Sequence, residues 1–112
     1  MKTLALALLG TFALGGAAPA RMQVVVGEFS FSLSRTHLKP GSAVIELANF
    51  GQDPHDLRLE RIGARHIAGT PVVGPGSRAE LAVKLLSGRY SLWCSVADHR
   101  ARGMRATLIV RR

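Results

Sequence analysis

The stretch Ala79–Cys94, AELAVKLLSGRYSLWC, alternates by twos. Ala79, Leu81, Val83 and Leu85 oppose Glu80, Ala82 and Lys84, and after Ser87-Gly88 the residues Tyr90, Leu92 and Cys94 share one face. A period of two sets one side of a strand on a core and the other in water, and Ser-Gly between two such runs is turn chemistry. Working outward, the same pattern returns. Ala43, Ile45 and Leu47 align within Ser42–Ala48, Phe29, Phe31 and Leu33 within Glu28–Leu33, and Ala106, Leu108 and Val110 within Met104–Val110. Gln23–Val26 is a short apolar run, and Asp56–Ile62 turns Leu57 and Leu59 inward. Lys39-Pro40-Gly41, Asn49–Pro54, Gly63–Gly76 and Ser95–Gly103 punctuate these runs as turns or loops. About seven short strands and no helical period predict an all-β chain, a Greek-key β-sandwich or barrel.

Met1-Lys2, the uncharged run Thr3–Ala20 and its Ala18-Pro19-Ala20 end have the form of a secretory signal peptide. A Gly- and Ala-rich run with Pro19 near its end makes a poor membrane anchor, so residues 1–20 are expected to be removed. Residues 21–112 then form one domain that works as a periplasmic or secreted protein. The chain has 15 Lys+Arg and 7 Asp+Glu; losing Lys2 leaves 14 basic groups and a net charge of +7. At 47% hydrophobic residues the chain is too apolar to be disordered. Its single cysteine rules out an intramolecular disulfide and a four-cysteine zinc or iron–sulfur site. A small exported domain without a disulfide needs another staple, and a bound metal can be one.

The chemistry gathers in CSVADHRARGM, where Cys94, His99 and Met104 stand five residues apart, and in DPHDL, which carries His55. Taken alone, Cys94 would be a small buried hydrophobe, Met104 core filler and His99 an exposed loop residue. Together they offer thiolate, imidazole and thioether, the soft and borderline donors that copper takes, and His55 supplies a second imidazole from a loop expected at the same pole. Two His, one Cys and a weak axial Met make a type 1 copper site, whereas zinc prefers four strong ligands. His37 and His66 are outside this spacing and read as surface histidines. Asp56 and Ser95 are candidates to donate a backbone N–H to the Cys94 sulfur, and Asn49 to tie down its loop. Trp93 is expected to face away from the site and pack on a neighbouring strand.

PHDL, LWCSVADHRARGM and the terminal TLIV resemble the cupredoxins of plastocyanin, azurin and auracyanin type, from about Val24 to Val110. The C-x4-H-x4-M spacing is most similar to the auracyanin-like bacterial members. The resemblance implies one type 1 copper ion on His55, Cys94, His99 and Met104. It departs in Asp56, where the family often has Asn, and in its Arg-rich composition.

The expected function is one-electron transfer between redox partners, with outer-sphere exchange through His99. A copper-delivery protein using the same four ligands is the alternative. Arg89, Arg100, Arg102 and Arg105 flank the ligand loop and would attract an acidic partner; an anionic membrane surface would attract the same charge. A monomer is expected. Nucleic acid is excluded as a partner by the absence of a binding motif and by export. No nucleophile–base pair, phosphate loop or paired carboxylates suggest an enzyme.

Overall fold

The computed structural model describes Thr3 and Ala18–Arg112. The signal-peptide segment therefore lies almost wholly outside the described residues; of its end, Ala20 opens the first strand. The strands are β1 (Ala20–Gly27), β2 (Ser30–Leu33), β3 (His37–Leu38), β4 (Gly41–Asn49), β5 (Arg58–Arg61), β6 (Ile67–Gly69), β7 (Arg78–Leu85), β8 (Gly88–Trp93) and β9 (Arg105–Val110). No helix occurs among the described residues, and none there is long and apolar enough to cross a membrane.

The strands form two mixed sheets, β2-β1-β4-β7 and β3-β9-β8-β5-β6. β1 lies parallel to β4 and β3 parallel to β9; the other pairings are antiparallel. The chain changes sheet between β2 and β3, between β3 and β4, between β4 and β5, between β6 and β7, and between β7 and β8, which makes a sandwich. Alternation decides which side chains meet inside. Met22, Val24 and Val26 of β1 and Ala43, Ile45 and Leu47 of β4 face Leu59, Tyr90, Leu92, Leu108 and Val110 of the other sheet. Removing such side chains from water is worth roughly 1.5–3 kcal/mol for each large one. Leu86 N–H donates to the Tyr90 hydroxyl oxygen at 2.9 Å, which pins the turn between β7 and β8.

Among the described residues nine strands replace the expected seven or so, because β3 falls in a stretch with no strand pattern and β6 within Gly63–Gly76, which reads as a connection. At two and three residues they are too short to show a period, and each is held at a sheet edge by its neighbour. A second difference matters more for the site. The alternation predicts a strand from Glu28, yet Glu28 and Phe29 form the turn between β1 and β2.

Candidate metal centre

Strand register builds the site. Arg58 pairs with Trp93, so the segment just before β5 lies against the segment just after β8. That brings His55 beside Cys94. His55 is itself bridged to Val73, with N–H to O distances of 3.0 and 2.8 Å in the two directions. Asn49, at the end of β4, holds this loop: Nδ2 donates to the carbonyls of Asp53 (2.9 Å) and Val73 (3.1 Å), and Oδ1 accepts from Gly51 N–H (2.8 Å).

The β8–β9 loop closes on itself. Cys94 N–H donates to Met104 O, His99 N–H to Val96 O and Met104 N–H to His99 O, each at 3.1 Å. Gly103 has φ +116°, a conformation that L side chains rarely adopt, and a Cβ there would come 3.3 Å from Phe29 O. The loop thus curls inward and turns His99 toward Cys94 instead of toward solvent.

His55, Cys94 and His99 are all buried and present donor atoms within 4.8 Å of one another. The two Nδ1 atoms stand 3.1 Å apart, and Cys94 Sγ lies 3.8 Å from His55 Nδ1 and 3.6 Å from His99 Nδ1. Nitrogens at about 2.0 Å and a sulfur at about 2.3 Å from one centre, spread trigonally, would be separated by roughly 3.5 and 3.7 Å. The triangle found here fits a single metal ion. Two imidazole lone pairs facing each other repel unless a proton or a cation lies between them. Met104 is fully buried in the same core cluster as Cys94, and its backbone bonds to both Cys94 and His99.

Burial pushes the Cys94 thiol up; backbone N–H groups of Asp56 and Val96 pull it back in part, and the Asp56 carboxylate opposes them. The thiol is therefore protonated in the metal-free chain, and metal binding releases that proton. Asp56 is itself fully buried. It accepts from Ser95 N–H at 2.6 Å and from the Ser95 hydroxyl, and pairs with Arg58 Nε at 3.3 Å. Ser95 N–H, a candidate donor to the sulfur in the sequence, goes instead to the Asp56 carboxylate.

Outside the donor triangle stand two carboxylates. Glu28 Oε1 lies 3.0 Å from His55 Nε2, and Asp53 Oδ2 lies 3.5 Å from His99 Nε2. Glu28 also accepts from Asp53 N–H (2.6 Å) and Gln52 N–H (2.8 Å). Those two backbone donors, with a smaller contribution from His55, hold its carboxyl down from 4.5 to about 2. Glu46 is lowered by the Gln23 amide and Arg78, and Asp98 by Arg102. All three bind protons more tightly unfolded than folded, so their stabilisation is complete above the unfolded value and drains away as pH falls. The melting temperature of the metal-free chain is expected to drop as pH is lowered from 4.5 towards 2, and less steeply for Glu28→Gln than for wild type. Parallel pH profiles from thermal unfolding would contradict this.

His99 is not exposed, as its polar loop suggested, but 5% accessible. The Phe29 ring packs against it, centroids 5.2 Å apart, and Arg102 lies over Phe29 at 4.8 Å. Trp93 is buried on its own strand, with the Arg100 guanidinium 4.4 Å from its ring centre. His37 is exposed and bonds Arg111 O through Nε2 at 2.9 Å; His66 is exposed beside a separate cleft of about 430 Å³ lined by Leu59, Leu81 and Tyr90. Neither joins the cluster. Glu28, Phe29 and Asp53 are site residues that sequence reading missed, and no spacing marks them.

No protein-family model and no curated protein sequence matches the chain. Solved structures do. Dithionite-reduced auracyanin of Roseiflexus castenholzii superposes with a TM-score of 0.70 at 17% identity, over 87% of this chain and 100% of that one. Auracyanin A of Chloroflexus aurantiacus, a "blue" copper protein, gives 0.64 at 15% identity, over 84% and 100%. A purple cupredoxin from Nitrosopumilus maritimus gives 0.55 at 20% identity, over 81% and 98%. The chain also superposes on a multicopper oxidase, of which it spans 41%. At these identities the likeness establishes the fold: the chain has the cupredoxin fold.

Proposed function

We propose that the protein is an exported blue copper protein that carries single electrons between redox partners. One observation carries the reading. Two imidazole nitrogens and a thiol sulfur from two loops converge with the separations that a single ion needs, and the backbone of buried Met104 is hydrogen-bonded to two of the three residues. The donor set suits copper: thiolate and imidazole bind both of its oxidation states, and a thioether is a ligand that zinc seldom uses. The bound ion would supply one-electron redox chemistry. The chain's own part is to hold its donors nearly still, so that little moves when an electron arrives. Loops clamped by Asn49, Asp56 and Glu28 on a two-sheet frame are suited to that. The solved proteins that share this fold include ones described as blue copper and purple cupredoxin proteins, which supports the reading.

The leader-like residues 1–20 support export. An acidic redox partner is the preferred kind. Residues 21–112 carry a net charge of +7; at this end Arg100 and Arg102 lie on aromatic rings and Arg78 on the exposed Phe50, with Arg102 and Arg78 also paired to Asp98 and Glu46. Such a surface steers an acidic partner and makes association fall with salt.

The test is addition of Cu(II) to the purified chain, with its visible spectrum and voltammetry. An intense thiolate-to-copper band, one equivalent of metal and fast reversible cycling are expected. Absence of the band would refute the reading, and ready release of the ion to an acceptor without reversible cycling would favour delivery instead.

A further inference from the structure

Glu28 is the one carboxylate that touches the donor triangle from a third loop. It projects from the β1–β2 turn into the loop that precedes His55. Its Oε1 lies 2.8 Å from Gln52 N, 2.6 Å from Asp53 N and 3.0 Å from His55 Nε2. An ionised carboxylate only accepts, so the imidazole nitrogen facing it must carry the proton. In the neutral imidazole the other nitrogen, Nδ1, then keeps its lone pair, and it faces Cys94 and His99. The carboxylate is also tightly seated. A Cβ on Gly51 would stand 2.5 Å from Oε1 and 2.7 Å from Oε2, so only glycine leaves room for it.

We infer that Glu28 is a positioning residue for the metal centre: it fixes His55 with Nδ1 turned inward, and its charge favours the more highly charged state of the bound ion. The inference rests on the copper reading above. A carboxylate on the far nitrogen makes the imidazole a stronger donor and orients its ring. Both effects favour Cu(II) over Cu(I) and so lower the potential. His99 has a weaker counterpart in Asp53, more distant at 3.5 Å and half exposed to water, which screens it.

The experiment compares wild type, Glu28→Gln and Gly51→Ala, each loaded with Cu(II) and examined by voltammetry at one pH. Glu28→Gln keeps an acceptor oxygen for Gln52 and Asp53 but removes the charge. Gly51→Ala keeps the charge but displaces the flexible carboxylate. Losing an outer partner typically weakens metal affinity by about 10–100-fold. A tenfold loss confined to Cu(II) would raise the potential by about 59 mV for one electron. Both variants are expected to shift upward by at least that much. A second readout needs no metal: the 15N imidazole shifts of His55 should show the Nε2–H tautomer in wild type and a mixture in Gly51→Ala. A clamp with only a structural role would lower the melting temperature and leave the potential unmoved, which overturns the inference. So does an Nδ1–H tautomer in the metal-free wild type. If wild type forms no thiolate–copper band, the copper reading falls and this inference with it; if wild type is blue and the variants match its potential, only the role of Glu28 falls. The two variants act by different routes, so either one that folds suffices.

Discussion

Cys94→Ser should abolish the intense visible band of the Cu(II)-loaded chain and weaken metal binding by about 100-fold or more, beyond the 10–100-fold that losing an outer partner costs. The sulfur supplies the covalent overlap that gives such a band its strength, and a serine hydroxyl does not ionise near neutral pH to replace it. Cys94 is fully buried between two imidazoles. The new hydroxyl would find His55 Nδ1 or His99 Nδ1 as a hydrogen-bond partner, so the metal-free variant should stay folded, within about 1 kcal/mol of wild type. That combination separates a ligand from a core residue. Equilibrium dialysis with Cu(II), beside chemical denaturation of both metal-free chains, measures it. A variant that keeps the band, or one that loses metal only because it has unfolded, would contradict the assignment of Cys94 as a donor.

What the sequence showed of this centre depended on how local each feature is. Cys94, His99 and Met104 sit in one loop, so their spacing is visible without knowing the fold, and the loop closes through hydrogen bonds within that segment. His55 was reachable because β5 and β8 both alternate and their turns put residues 55 and 94 at the same end. Glu28 was not. The alternation of Phe29, Phe31 and Leu33 continues through the turn, so the pattern extends the strand over a residue whose role is made by contacts 24 to 27 positions away. The burial of His99 was hidden for the same reason. Ser95–Gly103 is polar in composition, and the ring that covers His99 comes from Phe29 in another loop. Composition reports the average surroundings of a segment, whereas burial depends on what packs over each residue.

Leu92→Ala should cost the metal-free chain about 2–5 kcal/mol, the range for truncating a buried leucine where the walls cannot fully collapse. Leu92 has no solvent exposure and sits in the central part of its sheet, in register with Leu59 on one side and Ala106 on the other. It is two residues before Cys94 on the same face, so the cavity opens in the floor on which the ligand loop rests. Against a total of roughly 5–15 kcal/mol for a domain, such a loss is a large share. For a domain of this size each kcal/mol lowers the melting temperature by about 4–8 °C, which predicts a fall of at least 8 °C. Leu86→Ala is the control: its side chain is 56% exposed, and an exposed substitution should stay within about 0.5 kcal/mol. Chemical denaturation of the three metal-free chains gives the comparison. A loss below 1 kcal/mol at Leu92 would mean that the two sheets do not close over it as described. The proposed carrier would then lack the stiff floor that keeps its donors in place, since a soft floor lets the loop relax each time the charge on the ion changes.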